Sequence, residues 1–217
     1  MKKLLTILVL IMLIISFFQI TSMYALYKEQ IQGEYTNSIG AWQIKVNDTD
    51  ITSNGQQATF TIAGDQLEYI PNENVQAGKI APGGQAYFDI IIDPLETDVA
   101  VIYTIEADTE AMLGQVPIVV TNVQNYFVGK GEDGQTKEIT NNVFNINGYT
   151  YTSVIPVNMI TQGYKNYIRI YLQWWNDETG TYDEQDSIIG ESENAKISIP
   201  LTINLKQYTG EDISNAI

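Results

Sequence analysis

The sequence predicts an all-β protein: a jelly-roll-like antiparallel β-sandwich with few short helices, preceded by a signal-peptide helix. The first observation is residues 166–175, where aromatic and polar residues alternate with Ile168, Ile170 and Leu172. The second is residues 196–208, where isoleucines and leucines occupy every other position. A period of two over this length indicates strands that each bury one face. The third is that turn signals separate about eight to ten such stretches.

The two alternating stretches are interpreted as neighbouring core strands that bracket an acidic insert, residues 176–187. Charged side chains favour solvent, so the insert is expected to be an exposed loop. Trp174 and Trp175 follow one another on a strand, and their side chains should therefore point to opposite faces. One of the two tryptophans is expected to face solvent or an interface. Packing in the core or at an interface is the favoured interpretation, and sugar binding is the alternative.

Further strands are expected between the signal peptide and these two stretches. They lie at residues 41–46, 58–63, 86–93, 99–107, 117–123 and in two short pieces within 142–155. In the first of them Trp42, Ile44 and Val46 should face inward. The run Ile90-Ile91-Ile92 predicts a strand that is buried on both faces.

Turns and irregular segments are predicted from glycine and asparagine. Asn147-Gly148 is a favoured hairpin turn, and residues 129–136 are expected to form a glycine-rich acidic surface loop. The G-K-G-E-D-G run within that loop lacks the Lys-Ser/Thr ending of a phosphate-binding loop. A single helical turn is expected within 157–164. The sandwich domain is placed at residues 39–208, followed by a frayed tail at 209–217.

Composition excludes several classes of function. The 217 residues carry 11 Lys+Arg against 26 Asp+Glu, a formal net charge of -15, with no Cys and no His. Such an acidic surface repels nucleic acid and anionic membranes, so neither is expected as a partner. Without Cys or His, disulfides, thiolate nucleophiles, Ser-His-Asp chemistry and most zinc sites are ruled out. We therefore expect no enzyme and no catalytic residue.

The N-terminus is typical of an export signal. Met1-Lys2-Lys3 is a basic start, residues 4–20 are almost wholly apolar, and Thr21 to Ala25 (T-S-M-Y-A) is a cleavage region. The prediction is a signal peptide at 1–25 and a secreted protein of the extracellular matrix or cell surface, without a stable membrane span once cleaved. The alternative is an uncleaved anchor, since 4–20 is near the lower length limit for a spanning helix.

Residues 26–38 would form the new N-terminus after cleavage. The segment is polar with sparse apolar residues, and it is interpreted as a weak strand that can add to an open sheet edge of another chain. The candidate assembly residues are Leu26, Tyr27, Ile31 and Tyr35. The alternative is that the segment pairs at the edge of its own sheet.

The acidic insert offers the only candidate ligands for a metal. Asp177, Asp183 and Asp186 could bind Ca²⁺ through their carboxylate oxygens, but their spacing does not match an EF-hand loop. A solvated loop is the favoured interpretation, and no cofactor is expected beyond this possible Ca²⁺. A glycosidase-like carboxylate pair is disfavoured because nothing in a loop holds two carboxyl groups across a cleft.

Three segments together resemble the TasA/camelysin family of exported proteins. They are A-L-Y-K-E-Q-I-Q-G-E-Y with A-W-Q-I-K-V-N-D-T-D-I-T, then V-Q-A-G-K-I-A-P-G-G-Q-A-Y-F-D-I-I-I-D, and finally I-Y-L-Q-W-W-N-D with D-S-I-I-G and I-S-I-P-L-T-I-N-L-K-Q-Y. Lys79-Ile80-Ala81-Pro82-Gly83 is similar to the family's turn before a strand. The match is to a divergent relative, and the motifs are structural.

The resemblance implies a biofilm matrix fibre subunit with a jelly-roll fold, exported through a signal peptidase of the SipW type. It also implies that the freed N-terminal segment adds as a donor strand to the next subunit, so the partner is the protein itself or a related matrix subunit. Some members resemble metalloproteases, but this chain has no His and therefore no H-E-x-x-H motif. The alternative function is a monomeric secreted binding module for calcium, glycan or cell wall. A carboxylate hydrolase is a third hypothesis.

Overall fold

A computed structural model describes residues 41–52, 57–108, 117–131, 133–176, 180, 183–191 and 197–213. The predicted signal peptide and the segment 26–38, with Leu26, Tyr27, Ile31 and Tyr35, lie outside the described residues. The predictions about them stay predictions.

The described part of the chain is mostly strand. The strands are β1 Lys45–Val46, β2 Thr49–Asp50, β3 Gln57–Ala63, β4 Glu68–Tyr69, β5 Gln85–Asp93, β6 Val101–Ala107, β7 Ile118–Lys130, β8 Thr136–Thr140, β9 Phe144–Asn147, β10 Thr150–Ile155, β11 Lys165–Trp174 and β12 Ser198–Gln207. Two short α-helices, α1 Val157–Thr161 and α2 Asp183–Glu191, and a 3-10 turn at Gly64–Gln66 complete the described elements.

The strands form two antiparallel sheets with a shared core. Sheet A has the order β2-β1-β5-β11-β7-β8, with β4 also paired to β5, and sheet B has the order β3-β12-β6-β10-β9. The longer strands alternate between the sheets along the chain, since β5, β7 and β11 lie in sheet A and β3, β6, β10 and β12 in sheet B. The predicted jelly-roll-like antiparallel sandwich with few short helices is therefore confirmed.

The two stretches with the clearest alternation are core strands, as predicted. Buried residues alternate with partly exposed ones along β11 and along most of β12. Their interpretation as neighbours is wrong in one respect, because β11 belongs to sheet A and β12 to sheet B. The alternation of apolar and polar residues shows which face of a strand is buried. Because the same alternation occurs in strands of both sheets, it does not identify the strand with which each one pairs.

The prediction that β5 is buried on both faces is wrong. Ile90 and Ile92 are fully buried in the core, whereas Ile91 and Tyr87 on the other face are partly exposed. That other face belongs to the outer surface of sheet A. A run of three isoleucines fits a strand with one solvent-facing side as long as the outward isoleucine is shielded by its neighbours.

Strand β7 is longer than predicted and runs through the residues expected to begin the glycine-rich loop. Gly129 lies within β7, and a side chain there would place its Cβ 2.7 Å from the buried ring of Tyr164. Glycine at this position therefore allows close packing and does not mark a loop. The turn itself is shorter: Gly131 N donates to the carbonyl of Gln135, and β8 begins at Thr136.

Several local predictions are confirmed. The Asn147-Gly148 turn joins β9 to β10, with Gly148 at φ 57°. Residues 157–161 form one helical turn, and Ile44 and Val46 are buried in the core. In the part of the chain that the structure covers, no helix has both the length and the hydropathy required to cross a bilayer.

The acidic insert is not simply a loop. Residues 183–191 form α2, and Asp186 in this helix is buried with 7% exposure. Asp177 lies outside the described residues, as does the side chain of Asp183. The expectation of a wholly solvated loop is thus wrong, because the chain folds part of the insert back against the sandwich through Asp186.

Candidate functional site

Among the residues that the structure describes, one side of the sandwich is incompletely closed, and we call it the open side. It is bounded in sheet A by residues 118–124 of β7 and in sheet B by β9. On one flank residues 118–128 of β7 pair with β11, with a register shift between Val120 and Asn122, but on the other flank β8 pairs only with residues 126–130. No described strand pairs with residues 118–124 on this second flank. At ~3.3 Å per residue, this edge is about 23 Å long.

The edge is left open because the chain changes sheets at Asn141. The Asn141 backbone N–H donates to the carbonyl of Asn125 at 2.8 Å. This is the last backbone hydrogen bond between β7 and the segment that contains β8. The Asn141 side-chain amide then donates to Ser153 Oγ and to the carbonyl of Val154, both on β10 of sheet B. The chain continues as β9 at the edge of sheet B. A strand added to residues 118–124 would therefore lie end to end with β8.

The open side exposes apolar side chains that point into the core. Val120 lies opposite the buried Leu172 and Ile146 opposite the buried Tyr151, yet each is 48% exposed. Tyr149, beside them, is 58% exposed. A cleft of about 70 Å³ between these residues reaches core side chains of both sheets. Core-facing side chains are normally covered, so this arrangement marks a place where another element can pack.

The other end of the open side is polar. A groove of about 650 Å³ begins where β8 ends, and its walls include Gln124, Asn125, Glu138, Asn141 and Phe144. Both clefts share Val123, which lies opposite Ile170 on the core face of β7. Along its length, the open side therefore changes from apolar at residues 118–123 to polar beyond them.

A buried hydrogen-bond network supports the polar end. The Asn125 side-chain amide donates to Tyr103 Oη at 3.0 Å and to Ser153 Oγ at 2.9 Å, and Asn125 Oδ1 accepts from the Asn166 amide. These bonds join β7 and β11 of sheet A to β6 and β10 of sheet B. Burial raises the pKa of the Tyr103 and Tyr151 phenols, so both remain neutral at physiological pH. The network holds the two sheets in a fixed spacing beneath the groove.

The outer surface of sheet A carries a second polar and aromatic array, the tyrosine face. Its members are Tyr87 and Asp89 on β5, Tyr126 on β7, and Tyr167, Arg169 and Tyr171 on β11. Arg169 binds Asp89 through Nε–Oδ1 and Nη2–Oδ2 contacts of 2.8 and 2.7 Å, and the Asp89 contact raises the pKa of the guanidinium. Its charge lies 4.2 Å from the centre of the Tyr87 ring. The charges of this face are thus largely paired with each other.

The candidate metal ligands are not brought together by the described residues. Asp186 Oδ1 accepts a hydrogen bond of 3.0 Å from Trp174 Nε1. Within the described ranges, no three acidic side chains cluster as a metal site would require. Trp175 is 49% exposed and Trp174 is buried, which confirms that the tandem tryptophans face opposite ways. The calcium hypothesis for Asp177, Asp183 and Asp186 stays a prediction.

Sequence reasoning missed both surfaces. The open side depends on where β8 stops, and the tyrosine face depends on the register of three strands. A partial signal was present in the 142–155 hairpin, where Phe144 and Ile146 are large apolar residues in the short edge strand β9 and Tyr149 lies in the turn that follows it. Exposed apolar residues on an edge strand are unusual in a monomer.

Comparison with known proteins gives little further information. No family model matches the sequence, and no curated protein matches it. Among solved structures, the chain is similar to one from work on carbohydrate-binding modules of the β-sandwich superfamily. That structure is described as explaining the promiscuous specificity of those modules. The identity is 11% over 70% of this chain and 58% of that chain, with a TM-score of 0.27. So distant a likeness carries no argument about function.

Proposed function

We propose that this protein is an exported structural protein that assembles into extracellular or cell-surface fibres by strand addition. In this proposal residues 26–38 of one chain occupy the open side of the next. The observation that carries it is the edge at residues 118–124, which is unpaired by any described strand and lies beside exposed core-facing side chains such as Val120. An edge with free backbone groups and an apolar cleft is the arrangement that accepts an added strand.

The length and pattern of the segment fit the open side. At ~3.3 Å per residue, residues 26–38 extended would be about 43 Å long, enough to cover an edge of about 23 Å. Tyr27, Ile31 and Tyr35 follow one another at intervals of four positions, an even number, so in a strand they share one face. That face would be directed at the apolar cleft, and the polar residues between Ile31 and Tyr35 would face outward or remain exposed.

Strand addition between chains leads naturally to filaments. The donated segment precedes the sandwich and the open side lies on the sandwich, so the two contacting surfaces differ. Contacts between unlike surfaces propagate head to tail unless the rotation closes a ring. Export with removal of the signal peptide, through a peptidase of the SipW type, would free the segment outside the cell. The partner is then a second copy of this chain or a related matrix subunit.

Electron microscopy and sedimentation of purified chains test the proposal. A chain starting at Leu26 should form fibres, whereas one starting at Ile39 should stay monomeric because it lacks the segment. Val120→Lys in the longer chain should also stop assembly, since it places a charge at the mouth of the apolar cleft. Val157→Lys is the matched control, because Val157 is 45% exposed in α1 and outside the open side.

Two results would overturn the proposal. One is a monomeric Leu26 chain at high concentration and varied pH. The other is assembly that survives both the deletion of residues 26–38 and Val120→Lys. Circular dichroism must show a folded sandwich for each variant, so that loss of assembly reports on the contact and not on unfolding.

The tyrosine face favours a second candidate function, a secreted module that binds an uncharged glycan. Flat aromatic rings with planar polar groups beside them suit the apolar faces and hydroxyl edges of sugars. Because Arg169 is already bound to Asp89 and Lys165 to Asp93, the face offers little unpaired charge for an ionic ligand. Affinity electrophoresis in soluble neutral polysaccharides should retard the chain, and Tyr87→Ala should reduce the retardation while Tyr149→Ala does not. Equal mobility with and without polysaccharide would eliminate this candidate.

A further inference from the structure

We infer that Tyr126 and Tyr167 form an oxidation site at which a peroxide-driven one-electron oxidant joins their rings into a dityrosine bridge within one chain. The two residues are directly opposite each other on β7 and β11. Their ring centres are 5.6 Å apart and their planes differ by only 20°. Directly opposed residues hold their Cβ atoms at about 4.5–5.5 Å, so the backbone keeps the two phenols side by side.

The pair is also accessible. Tyr126 and Tyr167 are both partly exposed on the outer surface of sheet A. By contrast, Tyr103 and Tyr151 lie in the core with 0% and 5% exposure and ring centres 6.3 Å apart. A small oxidant in solution therefore reaches the first pair and not the second.

The neighbouring pair on the same face is less suited to coupling. Tyr87 and Tyr171 also have ring centres 5.6 Å apart, but their planes differ by 46°. The guanidinium of Arg169 lies over the Tyr87 ring at 4.2 Å, and the Tyr171 hydroxyl donates to Gln124 Oε1 at 3.1 Å. Both contacts hold these rings in place, and Arg169 covers one face of the Tyr87 ring while lying farther, at 6.0 Å, from the centre of the Tyr126 ring. The stacked pair is thus the preferred site on the tyrosine face.

The coupling of the two phenols is a two-electron oxidation. Each phenol gives one electron to the oxidant and loses its hydroxyl proton to water, which leaves a neutral phenoxyl radical. The two radicals form a carbon–carbon bond between Cε atoms, and the hydrogen on each joined carbon then moves to the phenoxyl oxygen. The pair has lost two electrons and two protons, and a peroxidase passes them to one hydrogen peroxide, which becomes two water molecules.

The dityrosine bridge would give this chain a covalent cross-link between side chains that does not depend on cysteine. The sequence contains no Cys, so disulfides cannot form. A link between Tyr126 and Tyr167 would close the chain between β7 and β11 and restrict the unfolded state in the way a disulfide does. Tyr126 adjoins residues 118–124, so the link would also fix the strand that carries the open side.

Treatment of the full mature chain with a haem peroxidase and hydrogen peroxide tests the inference. The chains should gain the blue fluorescence of dityrosine, and peptide mass spectrometry should find Tyr126 and Tyr167 joined with the loss of two hydrogens. An equimolar mixture of ¹⁵N-labelled and unlabelled chains identifies links between molecules, because half of those links carry both isotopes. The expected Tyr126–Tyr167 link carries one isotope only.

Conservative variants decide the assignment. Tyr126→Phe and Tyr167→Phe each keep the ring and should each abolish the one-isotope link, whereas Tyr87→Phe should retain it. The inference is overturned if no joined Tyr126–Tyr167 peptide is found, if about half of that peptide carries both isotopes, if the link joins another pair, or if it persists in Tyr126→Phe.

Discussion

Trp174 and Asp186 bind each other inside the protein, with the indole Nε1–H donating to the carboxylate Oδ1 at 3.0 Å. Both residues are buried, at 4% and 7% exposure. This hydrogen bond connects α2 to β11, so part of the acidic insert packs against the sandwich. Asp186→Ala should lower the free energy of unfolding by about 1–3 kcal/mol, because it leaves the indole N–H buried without its acceptor. Urea denaturation followed by tryptophan fluorescence measures this loss.

The exposed Glu184 on the same helix supplies the control. Glu184→Ala should change the free energy of unfolding by no more than about 0.5 kcal/mol. The measurements should be repeated with Ca²⁺, since Asp186 was a candidate ligand. If Asp186 acts through Trp174, its substitution costs the same with and without calcium. A cost that appears only with calcium would mean that Asp186 binds the ion.

The Asn125 network should contribute strongly to stability. Its side chain connects Tyr103, Ser153 and Asn166 across the two sheets. Asn125→Ala removes these bonds and leaves polar atoms buried, so a loss of about 2–4 kcal/mol is expected in chemical denaturation. Asn122→Ala, on the exposed part of the same strand, should be nearly neutral. A similar small effect for both substitutions would show that the network is energetically unimportant.

The bidentate contact of Arg169 with Asp89 predicts that lysine is a poor substitute. Arg169→Lys keeps the positive charge but loses the two parallel hydrogen bonds and the planar group over Tyr87. We expect a decrease of about 1 kcal/mol in the free energy of unfolding, near the upper end for a partly exposed pair. Lys206→Ala is the comparison, because the Lys206–Glu211 pair is more exposed, at 68% and 32%. Thermal denaturation should show a clear shift for the first variant only.

The hydrogen bonds of Glu211 in the C-terminal tail should make the stability of the fold depend on pH. The backbone N–H groups of Glu211 and Thr209, followed by the Thr209 hydroxyl, lower the pKa of Glu211 to about 2 from its usual 4.5. A lowered pKa in the folded state stabilises the fold above the usual value, and this contribution is lost as the pH falls from 4.5 towards about 2. Thr209→Val removes the hydroxyl and should raise the pKa of Glu211, as measured by NMR titration. An unchanged pKa would contradict the assigned hydrogen bonds.

Burial was predictable from sequence wherever one face of a strand is apolar. The alternation of Ile199, Leu201 and Ile203 on β12 defines a core face because side chains on a strand alternate sides. The pairing of that strand was not predictable, since β11 and β12 show the same pattern in different sheets. Pairing depends on contacts between residues far apart in the sequence.

The surfaces proposed for function were less predictable than the core. The open side exists because β8 ends at Thr140 and Asn141 binds across to Ser153 and Val154 of the other sheet. Nothing in the local sequence around Asn141 encodes that crossing. Tyr126 and Tyr167 are 41 positions apart in the numbering (167 − 126 = 41) and become neighbours only through the strand register. The donor segment, in contrast, was inferred from its position after the predicted cleavage site.

Disulfide trapping between chains tests the central proposal most directly, because the protein has no Cys of its own. Chains carrying Ile31→Cys are mixed with chains carrying Val120→Cys or Val123→Cys, and the mixture is oxidised. Residues on one face of paired strands approach closely enough for a disulfide. Strand addition at the open side should give covalent dimers in these mixtures and few with Glu106→Cys, which is exposed on sheet B. Absence of dimers, or equal yields with Glu106→Cys, would contradict strand addition at the open side.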